Sequence, residues 1–145
     1  MKSIVNFRKA ISLAMCMTFA LAFFSGCSKD DDGPGGGGRE AFIGTYRITT
    51  ERVGTLLTDA DYSTTVTKSS ANNTDILINN ILNLGAEYTI KATVNGDSFT
   101  IPQQTVQGVG FAGSGQRNGN NLSYSVQVTG TGGGIVNWTV ECVKM

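Results

Sequence analysis

From Ala41 onward the chain alternates apolar and polar residues with a period of two, and the pattern recurs so often that few folds can accommodate it. Phe42, Gly44, Tyr46 and Ile48 alternate with Ile43, Thr45, Arg47 and Thr49. Tyr88, Ile90, Ala92 and Val94 alternate with Glu87, Thr89, Lys91 and Thr93. The same holds for Leu122, Tyr124, Val126 and Val128, and for Val136, Trp138, Val140 and Cys142. Successive side chains of a strand point to opposite faces, so each run gives a strand with one apolar face. The 3.6-residue period of a helix packed on one side is almost absent.

Weaker strand candidates fill the intervals: Asp61 to Ser70, Thr74 to Asn80, Ser98 to Val106 and Val109 to Arg117. Asn95-Gly96 and Asn118-Gly119 separate alternating runs and suit two-residue type I′ turns, since both residue types tolerate positive φ. Gly130 to Gly134, with Thr131 inside it, predicts a longer loop, and Asn79 to Gly85 a short helical turn. Pro102 cannot donate to a ladder, so its strand is expected to break or bulge there. About eight strands with short connections predict an all-β domain over residues 41–145, an eight-stranded up-and-down antiparallel barrel, because closure removes the exposed edges that template aggregation.

The first segment has a different character. Lys2, Arg8 and Lys9 precede an apolar run from Ala10 to Phe24, shorter than the roughly 20 residues a spanning helix needs. The run ends in Ser25, Gly26 and Cys27. This arrangement resembles the signal peptide and lipobox of a bacterial lipoprotein, with Phe24 where Leu is usual. The resemblance implies cleavage after residue 26 and acylation of Cys27 with chains such as palmitate. Cys16, behind the bulky Met15, reads as part of the leader. Residues 27–40 form an acidic, Gly-rich tether, with Asp30, Asp31 and Asp32 ahead of Gly35 to Gly38. An acidic cluster directly behind the acylated Cys resembles the surface-export signal of Bacteroidetes lipoproteins, which implies an outer-membrane anchor facing the cell exterior.

Composition narrows the chemistry. The chain has 11 basic and 11 acidic residues and no His, so the commonest general base and metal ligand is missing. Loss of the leader takes away Lys2, Arg8 and Lys9 and leaves a mildly acidic protein, which repels phosphate backbones. Nucleic acid is therefore not an expected partner. The three Cys are too dispersed for a zinc pair, and Cys142 reads as a small buried hydrophobe. Gly108-Val109-Gly110-Phe111-Ala112-Gly113 matches G-x-G-x-x-G, but no helix pattern follows, so a glycine-rich strand that bends or leaves room inside is expected. Asp59 and Asp61 could pair for acid/base work or Ca²⁺, but read as an exposed turn. No nucleophile can be assembled, and no metal, cofactor or enzymatic activity is expected.

The folded part also resembles the small lipocalin-like, or calycin-like, barrel lipoproteins of Bacteroidetes. The likeness rests on Gly44-Thr45-Tyr46, on Val94-Asn95-Gly96-Asp97-Ser98-Phe99-Thr100-Ile101-Pro102-Gln103-Gln104, and on Gly119-Asn120-Asn121-Leu122-Ser123-Tyr124-Ser125-Val126. Gly-Thr-Tyr stands where lipocalins carry Gly-x-Trp, and Arg47 is the basic residue on offer for the barrel-closing contact. The resemblance implies a barrel able to take a ligand. Tyr46, Tyr62, Tyr88, Tyr124 and Trp138 fall on the inward face of their strands and, with Phe111, are the candidate lining for a small apolar or amphipathic molecule. The competing expectation is a barrel filled by these side chains, serving a cell-envelope complex through its surface.

Overall fold

The alternating runs become strands in the computed structural model, which describes residues 38–145. The leader over 1–26, Cys27 and the tether as far as residue 37 lie outside the described residues. Nine strands follow: β1 (Gly44–Val53), β2 (Leu56–Thr58), β3 (Ser63–Lys68), β4 (Asp75–Asn79), β5 (Ile90–Asn95), β6 (Ser98–Val106), β7 (Val109–Asn118), β8 (Asn121–Thr129) and β9 (Ile135–Lys144). From β3 to β9 each pairs antiparallel with the next, and β1 lies between β3 and β9. The ring of eight is thus closed. β2, which the alternation does not reveal, is a short arm that folds back onto Glu51, Arg52 and Val53 of β1.

The turns differ in detail from expectation. Asn95 pairs with Ser98 and Asn118 with Asn121, so the central residues are Gly96-Asp97 and Gly119-Asn120. Among these four only Gly96 (φ 62°) and Gly119 (φ 61°) have positive φ, the pattern of type II′ rather than type I′. The type I′ pattern occurs between β6 and β7, at Gln107 (φ 50°) and Gly108 (φ 79°). The Gly130 to Gly134 loop and a 3-10 turn (Ile81–Asn83) form where the sequence places them. G-x-G-x-x-G is part of β7 and its approach, with no helix behind it.

Two irregularities decide what faces inward. In β1, Ile48 stands opposite Cys142 and Thr50 opposite Glu141, so Thr49 is an extra residue. This β-bulge shifts the alternation by one. Glu51 and Val53 turn inward beyond it, in place of Thr50 and Arg52. In β6 the register slips between Ile101 and Gln104, around Pro102. There the Gln104 amide stands in for the lost ladder: it accepts from the Lys91 backbone N–H (2.9 Å) and donates to the Lys91 carbonyl (2.7 Å).

The core fills the barrel from the end at which β1 begins, here the lower end. Phe42, Tyr46, Val66, Ile76, Ile78, Ile90 and Ala92 are all fully shielded from solvent. Each such aliphatic or aromatic side chain contributes about 1.5–3 kcal/mol through its burial. Gly115 makes this packing feasible, because the space its side chain would fill is taken by the Phe99 ring and the Tyr124 Cβ. Phe99 then meets Phe42 edge-on at 5.8 Å and Tyr124 at 6.3 Å between ring centroids. The glycine-rich strand leaves room inside, as its composition suggests.

Candidate functional site

The two ends of the barrel are built differently. At the lower end a 3-10 turn (Arg39–Phe42) lays the Phe42 ring across the opening. The buried Tyr46 hydroxyl donates to the Phe42 carbonyl (2.9 Å) and fixes this turn. Arg47, the expected closing cation, is exposed on the outer face. Arg117 takes that place instead: its guanidinium lies 5.8 Å from the Phe42 ring centroid, pairs with Asp97 and donates to the Gly119 carbonyl (2.9 Å). Alternation with Phe111 and Gly115 is the signal that could have revealed Arg117 as inward. Lys144 adds a second cation, 5.9 Å from the Tyr46 ring.

The upper end is apolar, and there the 3-10 turn between β4 and β5 buries Ile81 and Leu82 in the core. Ala60, Tyr62, Tyr88, Val106, Val109, Val128 and Trp138 are half-buried against the core, and all lie where β2, β3, β5, β6, β7, β8 and β9 begin or finish there. Tyr88 meets Phe111 edge-on at 6.4 Å. Leu56, Leu57, Leu84, Ile135 and Val136 stand exposed around the same rim. The expected lining residues thus divide. Tyr62, Tyr88 and Trp138 lie half-buried at the upper end, where Tyr88 packs on the buried Phe111, Tyr124 is buried mid-barrel, and Tyr46 belongs to the sealed end.

Toward the upper end lies a polar group that alternation alone misses. Glu51, turned in by the bulge, is 6% exposed. Its Oε1 accepts from the Thr58 hydroxyl (2.8 Å) and its Oε2 from Tyr62. Thr58 also reaches the Glu51 carbonyl (3.2 Å), so Glu51 adds side-chain ties between β1, the β2 arm and the segment after it to the backbone pairing of these elements. Burial, reinforced by the hydrogen bond to Glu51, raises the Tyr62 hydroxyl well above its ordinary pKa. Burial does the same to Tyr124, with smaller contributions from Cys142 and Glu51. The Tyr124 hydroxyl has no hydrogen-bond partner. Cys142 is buried, its thiol pushed up to about 12 by desolvation, and its Sγ donates weakly to the Leu122 carbonyl (3.3 Å). A thiol so shielded is a poor nucleophile.

Elsewhere, Asp59 and Asp61 are exposed in the connection between β2 and β3. Among the described residues no three Asp, Glu, Cys or His side chains converge on a point that could hold a metal ion. A groove of about 510 Å³ on the outer face of β6 to β9 is lined by short hydroxyl and amide groups such as Ser98, Ser114, Gln116 and Ser125. Its walls carry no arrangement comparable to the carboxylate and phenols inside. No protein-family model, curated protein or solved structure matches the chain.

Proposed function

We propose that the barrel takes a small apolar or amphipathic molecule through its upper opening, and that the protein does so as a lipoprotein anchored by an acylated Cys27 to the outer membrane, facing the exterior. The asymmetry of the ends carries this reading. One end is sealed by Phe42 and Arg117, whereas the other gathers half-buried aromatic rings under a rim of exposed Leu and Ile. Exposed apolar side chains gathered at one end of a domain support a binding site there, and small barrels can hold a single ligand.

Trp138 is the only tryptophan in the chain and stands at this opening, so it reports occupancy directly. Titrating the full chain with 1-octanol is expected to shift and saturate its fluorescence; an unchanged spectrum up to the solubility limit of the probe would remove the reading. The packed core favours a second possibility, a filled barrel that serves an envelope complex by docking a partner on Leu56, Leu57 and Ile135. In that case octanol leaves Trp138 unchanged, and replacing those three residues by Ser abolishes co-purification of the partner.

A further inference from the structure

Glu51 is a carboxylate shut into the barrel without a cation. Among the described residues no Lys or Arg lies within ion-pair distance of it, and its two hydrogen-bond donors, Thr58 and Tyr62, are neutral. A buried charge is costly unless it is paired. Hydroxyl donors meet part of the carboxyl group's hydrogen-bonding capacity and bring no opposite charge. Each carboxylate oxygen also keeps a free acceptor site, since the group offers about four in all.

A second unmet group lies two strands away in the same row. Tyr124 pairs with Val140, and Val140 with Glu51, so the three form one cross-strand row on the inner face. Tyr124 is 2% exposed and its hydroxyl is unpartnered, a condition that folded proteins seldom leave standing. Both groups lie toward the upper end: Trp138 pairs with Val53, two residues further along β1 than Glu51, and Tyr62, half-buried at that end, reaches the carboxylate itself.

A protonated amine is the chemical group that answers both deficits, because it brings positive charge to Glu51 and an N–H donor to the Tyr124 oxygen. A carboxylic acid anion would be repelled, and an alcohol would satisfy Tyr124 while leaving the charge unpaired. Resting on the reading of the upper opening as a ligand mouth, we infer that the ligand class is an amphipathic amine, its ammonium group held by Glu51 and Tyr124 and its apolar part lodged against Trp138 and Tyr88.

The experiment compares octylamine, 1-octanol and octanoate on the full chain at neutral pH, read by Trp138 fluorescence and by thermal shift. Octylamine is expected to bind about ten-fold more tightly than octanol, a margin of about 1.4 kcal/mol, with octanoate weakest. Glu51→Gln is expected to erase the octylamine advantage while leaving octanol affinity in place, and Tyr124→Phe to weaken octylamine several-fold. Equal binding of all three probes overturns the amine assignment and leaves the mouth intact, as does a Glu51→Gln protein that keeps the preference. Failure of every probe overturns the mouth as well. The comparison on the unmodified chain decides the matter even if Glu51→Gln does not fold.

Discussion

One absent methyl group governs the packing around Gly115. The Phe99 ring occupies the volume that any side chain there would need, with the Tyr124 Cβ on its flank. Neither can withdraw freely, because Phe99 is wedged against Phe42 and Tyr124. Gly115→Ala is therefore expected to destabilise the domain by about 1–3 kcal/mol, the usual range for overpacking a filled core. Urea denaturation followed by circular dichroism measures it, and an unchanged midpoint would show that the Phe99 ring has somewhere else to go. Arg117 is constrained in a different way. Its charge is tolerated at the inner face because Asp97 pairs with it and the Phe42 ring lies beneath it.

At the scale of single elements, the β6–β7 turn carries a correctable strain. Gln107 adopts φ 50° in a type I′ turn whose second residue is already glycine, and a left-handed conformation costs an ordinary residue roughly 1–2 kcal/mol. Asn tolerates it better. Gln107→Asn is expected to stabilise the domain by about 0.5–1 kcal/mol, seen as a higher Tm.

The start of β4 shows how a strand can be tied down by charge. Asp75 is 3% exposed. It accepts hydrogen bonds from Thr93 (2.7 Å) on β5 and Asn72 (2.7 Å), with the Lys91 ammonium at 3.6 Å. The Thr93 hydrogen bond, helped by Asn72 and Lys91, outweighs desolvation and holds the carboxyl below its ordinary pKa. A carboxyl depressed in the folded state stabilises fully above the unfolded value of 3.8 and loses that contribution as pH falls through the lower folded value. Asp75→Asn should accordingly lower stability at neutral pH by about 1 kcal/mol. The gap between the two proteins should narrow below the ordinary carboxylate range; a gap constant from neutral pH down to strong acid would contradict this account.

On the scale of the whole molecule, a barrel sealed at one end and apolar at the other has a direction, and an N-terminal anchor would tether the sealed end, where Gly38 leads into the Arg39–Phe42 turn. Each buried acyl CH₂ contributes about 0.8 kcal/mol, and two chains hold where one is marginal. Cys27→Ser is therefore expected to abolish incorporation of an alkyne-labelled palmitate and to move the protein from the membrane fraction to the soluble one. Labelling that persists in this variant would place the acylated residue elsewhere.

The sequence by itself determined the class of fold, because alternation with a period of two is a local property that each run declares without reference to its neighbours. The break at Pro102 and the Gly130 to Gly134 loop are legible as well, because a missing backbone donor and a run of glycines also act locally. Tertiary structure decided the rest. The Thr49 bulge exists only in the pairing of β1 with β9, so no count along β1 reveals that Glu51 turns inward. Arg117 becomes the closing residue because Phe42 is carried to it across the bottom of the barrel. The difference between the ends likewise arises from contacts distant in sequence, and the candidate site, a carboxylate from β1 with phenols from β8 and the start of β3, is assembled only when the ring closes.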